Sequence, residues 1–147
     1  MKKSISAACA LWCTRLLAVL MLFLTAKLHV LLDWYLDLRP MGEHGAKAIM
    51  IGFYCCVPIV LLALWHLDKL LRNILAARVF VRTNVRCISM VRWCCLAICL
   101  ICIPVACFYP PIIFVVAIMA FLALVVSVLT AVMDAAVEIR EENDLTI

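Results

Sequence analysis

Charged residues are scarce in this sequence. Only 15% of the 147 residues are Asp, Glu, Lys or Arg, whereas about a quarter of an ordinary soluble domain is charged. Hydrophobic residues make up 69%, and a small water-soluble domain cannot bury such a surplus because much of its surface stays exposed. The composition therefore argues against a soluble enzyme, a disordered tail and a nucleic-acid-binding domain, and it indicates an integral membrane protein.

Several motifs that carry chemistry are also missing. The sequence has three glycines and no G-x-x-x-G helix-pairing motif. No nucleophile, base and acid with catalytic spacing can be assembled, so we expect no enzymatic activity and no cofactor. Asp and Glu are absent from the middle of every apolar segment, which argues against a proton-coupled exporter because such proteins usually need an acid near the bilayer centre.

Four apolar segments approach or exceed the length of about 20 residues that a membrane-spanning helix needs. They comprise residues 7–32, 48–65, 93–109 and 112–133. Their number predicts an all-α, integral membrane four-helix bundle that forms one domain over residues 1–147. The Met-Lys-Lys start could imitate a signal peptide, but Arg15 interrupts the apolar run, so we interpret this segment as a retained anchor.

The basic residues are unevenly distributed, and this predicts the orientation. The link between the second and third segments contains six of them: Lys69, Arg72, Arg78, Arg82, Arg86 and Arg92. Because basic residues favour the cytoplasmic side, we expect both termini and this link there, with the helices running up-down-up-down. Two aromatic belts agree with that orientation. The inner belt is Trp12, Trp65 and Trp93, and the outer belt is Trp34, Tyr35 and Tyr109.

Residues 66–92, here called the elbow, form the longest predicted extramembrane stretch. Apolar residues at helical spacing predict that the second helix continues beyond the membrane as an amphipathic helix. We expect Phe80 to anchor a turn and Thr83 or Asn84 to cap the third helix. Arg78, Arg82 and Arg86 are spaced by four residues and form one basic stripe if this part is helical. Such a stripe fits contact with anionic lipid headgroups or docking of an acidic partner. Direct binding of nucleic acid is not expected.

Two groups of charges invite pairing. Arg15 and Asp134 are predicted at similar depth, so they either form an ion pair inside the bundle or reach separately to the headgroups. Five of the nine acids lie in the C-terminal tip, residues 134–147. The tip is either a solvated tail or a clamp on the basic elbow, and surface ion pairs favour a clamp only when several act together.

The ten cysteines have a simpler interpretation than their number implies. The only C-x-x-C pair is Cys99 and Cys102, at mid-membrane, where thiolates are costly without a cation. Cysteine is also a small apolar residue that suits helix contacts. We therefore favour packing over a metal or redox site.

Two stretches of the sequence resemble a known family. The ending R-E-E-N-D-L-T-I and the elbow L-D-K-L-L-R-N-I-L-A-A-R-V-F-V-R-T-N-V-R look like two signatures of small bacterial membrane proteins, the domain of unknown function 2975. The resemblance implies a four-helix membrane protein, and it does not imply an enzymatic activity. It also implies a gene that often adjoins one for a small Cro-like helix-turn-helix regulator. One departure is Ala76-Ala77-Arg78, where the family usually has a glycine.

Together these features predict a non-enzymatic inner-membrane sensor or anchor whose elbow and tip bind a protein partner such as that regulator. The alternative is a small transporter, channel or immunity-type protein, and homo-oligomerisation stays open. The candidate residues for docking or for a structural lock are Phe80, Arg82, Asn84, Arg86, Glu142, Asn143, Asp144 and Leu145.

Overall fold

Four long helices account for nearly all of the protein. The computed structural model describes residues 2–38, 42–76 and 81–145. The helices are α1 (Lys2–Leu38), α2 (Glu43–Leu75), α3 (Arg82–Phe108) and α4 (Ile112–Leu145). The all-α prediction is confirmed. Each helix is long and apolar enough to cross a membrane, so a lipid bilayer is the environment that the composition requires.

The helices follow from the apolar runs of the sequence, although their ends differ from the predicted spans. Three of the predicted spans lie inside one helix each, and the span 93–109 exceeds α3 by one residue. Helix α2 continues to Leu75, as the apolar periodicity of the elbow predicts. Pro58 and Pro104 lie within α2 and α3, where each removes one backbone hydrogen bond. Membrane helices tolerate this loss when neighbours or local adjustments satisfy the freed carbonyl.

Helix packing follows the order of the chain. Close backbone approaches join α1 to α2, α2 to α3, and α3 to α4, and within the described residues no other pair of helices approaches in this way. The bundle is therefore open between α1 and α4. At one end, the loop after α3 reaches across to α1, since the hydroxyls of Tyr35 and Tyr109 lie 2.6 Å apart.

Helices α2 and α3 approach each other closely at Gly52. A Cβ atom built there would lie 2.8 Å from Cγ2 of Val105, a separation too short for two carbon atoms in van der Waals contact. One turn further along α2, Cys56 lines the same cleft as Cys102 of α3. Small residues on one helix thus allow the close crossing, as is usual where membrane helices meet.

The aromatic residues predicted as two belts are separated by roughly one hydrocarbon thickness. At about 1.5 Å per residue, Trp12 and Trp34 are about 33 Å apart along α1, and Trp93 and Tyr109 about 24 Å along α3. The hydrocarbon core of a bilayer is about 30 Å thick. Trp12, Trp34 and Trp93 are each more than half exposed, which suits side chains at a lipid interface.

Candidate functional site

An ion pair joins the start of α3 to the end of α4. Nη2 of Arg82 donates to Oε2 of Glu141 at 2.7 Å, and Nε of Arg82 lies 3.1 Å from Oε1 of the same carboxylate. Asp134, two turns earlier on α4, lies 3.9 Å from Nη1. The contact between Arg82 and Glu141 is called the latch below. The C-terminal end of α4 therefore lies against the elbow, as the clamp alternative predicts.

The latch is an exposed ion pair in which each partner shifts the pKa of the other. The side chains of Arg82 and Glu141 are 65% and 50% exposed. Hydrogen bonds from Arg82 lower the pKa of Glu141 below its ordinary value, and the same contact raises the pKa of Arg82. A two-point arginine–carboxylate contact has a preferred orientation, so the latch favours one arrangement of the α4 end against the start of α3.

Only part of the predicted basic stripe lies within the described structure. Arg82 is held in the latch, whereas Arg86 is exposed and has no ion-pair partner among the described residues. Arg78 and Phe80 lie outside the described residues. Of the stripe, the described structure therefore contains Arg82, which is paired in the latch, and Arg86, which is exposed.

Asn84 is a buried link between helices, and its predicted role as a cap is wrong. Val81 occupies the N-cap position of α3 and no side chain caps the helix there. Asn84 is 0% exposed, and its Oδ1 accepts a hydrogen bond of 2.7 Å from Nδ2 of Asn73 on α2. Burial of a polar side chain is costly without such a partner, so the pair fixes the register of α2 against α3.

Asn73 was not singled out from the sequence. Its polar side chain interrupts an apolar run on α2, but a lone asparagine there is equally consistent with a solvated helix face. Only the packing of α2 on α3 identifies its partner.

The structure does not bring Arg15 to Asp134, which corrects the predicted ion pair. Nε of Arg15 lies 3.1 Å from Oδ1 of Asp68 on α2, and Asp134 lies near Arg82. Asp68 also accepts from Arg72 at 2.6 Å. The reason is the open bundle, because α1 packs on α2 and has no close backbone approach to α4 within the described residues.

The remaining tip residues lie in the last turn of α4. Glu142 and Asn143 are exposed, and each makes a further contact in the structure. Asp144 and Leu145 belong to the helix, and their side chains lie outside the described part. The tip is thus helical up to its last described residue.

Comparison with known proteins gives a family. A family model described as "Protein of unknown function (DUF2975)" matches residues 12–147. The chain belongs to this family. No curated protein and no solved structure matches the chain. The match covers nearly the whole chain, so the family relationship applies to the four helices together.

The cysteines of this DUF2975 protein lie at helix contacts and on exposed faces. Cys87 and Cys94 on α3 are 3% and 5% exposed, and Sγ of Cys99 lies 3.8 Å from the carbonyl oxygen of Val116 on α4. Within the described residues no three His, Cys, Asp or Glu side chains form a group suited to a metal ion. These positions agree with the use of cysteine as a small packing residue.

Each tryptophan of the inner belt stands beside a cation. The guanidinium of Arg15 lies 6.0 Å from the ring of Trp12, Nζ of Lys69 lies 6.0 Å from Trp65, and the guanidinium of Arg92 lies 5.6 Å from Trp93. These distances permit cation–π attraction. Three helices of the DUF2975 fold therefore present the same pairing, an aromatic ring with a positive charge, at one end of the bundle.

Proposed function

We propose that this protein is a non-enzymatic sensor or anchor of the bacterial inner membrane. Its elbow and C-terminal tip would bind a small cytoplasmic protein, such as a helix-turn-helix regulator. The observation that carries this proposal is the latch, since it joins Arg82 and Glu141 into one surface although they are 59 residues apart in sequence. A partner that contacts both helix ends can then sense any change in their relative position.

The proposal includes an orientation. We infer an up-down-up-down arrangement with both termini and the elbow in the cytoplasm. In support, contacts pair the early part of one helix with the late part of the next, as in Arg15–Asp68 and Arg82–Glu141. The basic residues also gather at that end, where the positive-inside rule favours the cytoplasm.

The orientation is testable with reporter fusions. A fluorescent protein fused after residue 147 should fold and fluoresce in the cytoplasm, and alkaline phosphatase fused there should be inactive. Phosphatase inserted between α1 and α2 should be active, because that link is proposed to lie outside. An active C-terminal phosphatase fusion would contradict the orientation.

Arg86 is the residue on which we test docking. It is exposed one turn after Arg82, so an acidic partner that approaches the latch meets its charge. Glu142 and Asn143 lie one and two residues beyond Glu141. Phe80, Asp144 and Leu145 belong to the same proposed surface by their positions in the sequence.

The docking test uses the full-length protein in detergent and a purified small helix-turn-helix protein of the Cro-like kind. Arg86→Glu should weaken binding by about tenfold, since it replaces attraction by repulsion at a contact. Deletion of residues 141–147 should weaken it further by removing the latch. Lys27→Gln, an exposed charge change on α1, should leave affinity unchanged. Equal binding by all the variants would refute docking at this surface.

The alternative of a transporter or channel needs a polar path through the bundle. Thr25, Ser127 and Thr130 each donate their hydroxyl to a carbonyl of the same helix, four residues earlier. Each of these hydroxyls is therefore hydrogen-bonded within its own helix. Among the described residues they do not form a polar path between helices. This observation favours the sensor or anchor over the alternative, and flux measurements in vesicles with the purified protein would test it.

A further inference from the structure

The cleft between α1 and α2 at the inner belt has the layout of a phospholipid site. Its volume is about 240 Å³. The residues that line it are Thr14, Arg15, Ala18, Leu61, Leu64, Trp65, Asp68 and Arg72. Along α2 the lining changes from leucines to charged residues within about three turns, and the charged end belongs to the first part of the elbow. The cleft therefore has an apolar half and a charged half.

The charged half carries an unbalanced positive charge. Asp68 accepts from both Arg15 and Arg72, so one carboxylate faces two guanidinium groups. The carboxylate is 14% exposed, whereas the two arginine side chains are 46% and 63% exposed. The anionic member of the cluster is thus covered and the cationic members face outwards. Arginine is well suited to bind a phosphate there because its planar fork matches two oxygens.

The cleft lies at the level of the inner belt, where aromatic side chains favour the boundary between headgroups and hydrocarbon. Arg15 lies level with Asp68, and Arg72 lies about 6 Å further along α2. That distance is close to the depth of one interfacial layer of a bilayer, about 5–7 Å. Trp65, which is 60% exposed, lies at the same level and has the amphipathic ring typical of this layer.

We propose that this cleft binds one anionic phospholipid. Its phosphate lies between Arg15 and Arg72, and its acyl chains lie against Ala18, Leu61 and Leu64. The unbalanced charge selects an anionic lipid over a zwitterionic one, and the leucine-lined half selects a lipid over a free anion. The proposal does not rest on regulator docking, because none of the cleft residues belongs to the latch or to the candidate docking residues.

The test compares phosphatidylglycerol with phosphatidylcholine of the same chain length, bound to the detergent-purified protein and counted by native mass spectrometry. We expect phosphatidylglycerol to bind about tenfold more tightly, the effect of one charge-assisted contact. Arg15→Gln and Arg72→Gln should each abolish that preference. Arg72→Gln is the safer variant, because Arg72 is the more exposed of the two and Asp68 keeps its contact with Arg15.

Two controls separate a site from a general surface charge. Arg86→Gln removes an equal charge from the elbow outside the cleft, and Lys27→Gln removes one from the other half of α1. Both should retain the preference for phosphatidylglycerol. Loss of the preference in Arg86→Gln to the same degree as in Arg72→Gln would overturn the proposal.

Two further arms distinguish the source of the phosphate. Ala18→Leu fills the apolar half and should weaken both lipids equally while leaving the charges in place. Inorganic phosphate at millimolar concentration should not displace phosphatidylglycerol. Displacement by inorganic phosphate, or unchanged binding of both lipids to Ala18→Leu, would overturn the lipid assignment.

Discussion

At the scale of single residues, Asn84 shows how a polar side chain specifies a contact between helices. It is fully buried on α3 and accepts a hydrogen bond from Asn73 on α2. An apolar interface gives little preference among neighbouring registers, whereas a buried amide is satisfied in only one. The buried pair therefore selects one alignment of α2 and α3.

Asn84→Ala should destabilise the protein by about 1–3 kcal/mol, because it removes the buried acceptor of the half-buried Asn73 amide. Asn73→Ala should cost at least as much, since it leaves the fully buried Oδ1 of Asn84 without this donor. Thermal unfolding in detergent, followed by circular dichroism, measures both. Thr83→Ala is the matched control, because Thr83 is exposed. A cost of about 1 kcal/mol for Thr83→Ala would instead revive the predicted side-chain cap.

Gly52 supports a second prediction at this scale. Gly52→Ala should destabilise the α2–α3 contact by about 1–3 kcal/mol through overpacking against Val105. Val105→Ala removes the clashing methyl group, so the double variant should lose less stability than the sum of the single losses. Gly42→Ala is the control because nothing lies within 4 Å of a Cβ there. Additive losses would contradict the steric explanation.

At the scale of helices, ion pairs hold the ends of neighbours together. The latch joins α3 to α4, and Asp68 joins α2 to α1. The latch is exposed and should respond to salt and pH, whereas the Asp68 carboxylate is covered and should respond less. The two contacts therefore suit different roles, the first as a releasable contact and the second as a fixed one.

The latch should open in acid. Because Arg82 lowers the pKa of Glu141 in the folded protein, the contact contributes stability above the ordinary glutamate pKa, about 4.3. That contribution is lost as the pH falls through the lowered value. Hydrogen exchange of the α4 end, referenced to an unstructured peptide at each pH, should rise in that window. Glu141→Gln should exchange faster already at neutral pH and lose the acid-induced rise. An unchanged rise in Glu141→Gln would contradict the assignment.

Asp68 should be required for docking of α1. Asp68→Asn removes the negative charge and one of the two oxygens that accept from Arg15 and Arg72, so we expect a loss of about 1–2 kcal/mol in unfolding experiments. Asp134→Asn should leave the stability of α1 unchanged, because its neighbour is Arg82 at 3.9 Å. A larger loss of stability in Asp134→Asn than in Asp68→Asn would instead support the Arg15–Asp134 pair.

At the scale of the whole molecule, the open bundle separates two kinds of surface. Large apolar side chains remain exposed along α1 and α4, and lipid covers such faces at no hydrophobic cost. Most of the charged contacts gather at one end, where the elbow and the tip meet. A bilayer therefore accounts for the apolar faces, and the charged end is where we propose that a partner binds.

Much of the architecture was predictable because it depends on local composition. Four apolar runs of sufficient length give four helices, and the continuation of α2 to Leu75 follows from apolar spacing. The positions of Trp12, Trp65 and Trp93 could be read in the same way. The site was less predictable. The clamp was one of two alternatives, and Asn84 was one of two candidate caps as well as a candidate for docking or a structural lock.

By itself, then, the sequence determined the membrane class, the number of helices and the end at which charge accumulates. These properties depend on hydropathy, length and charge along one chain. Only the tertiary structure decided that Arg15 meets Asp68, that Asn73 meets Asn84, and that α1 and α4 stay apart. Such pairings depend on which helices become neighbours and at what rotation. Since several apolar faces have similar hydropathy, the linear pattern could not choose among them.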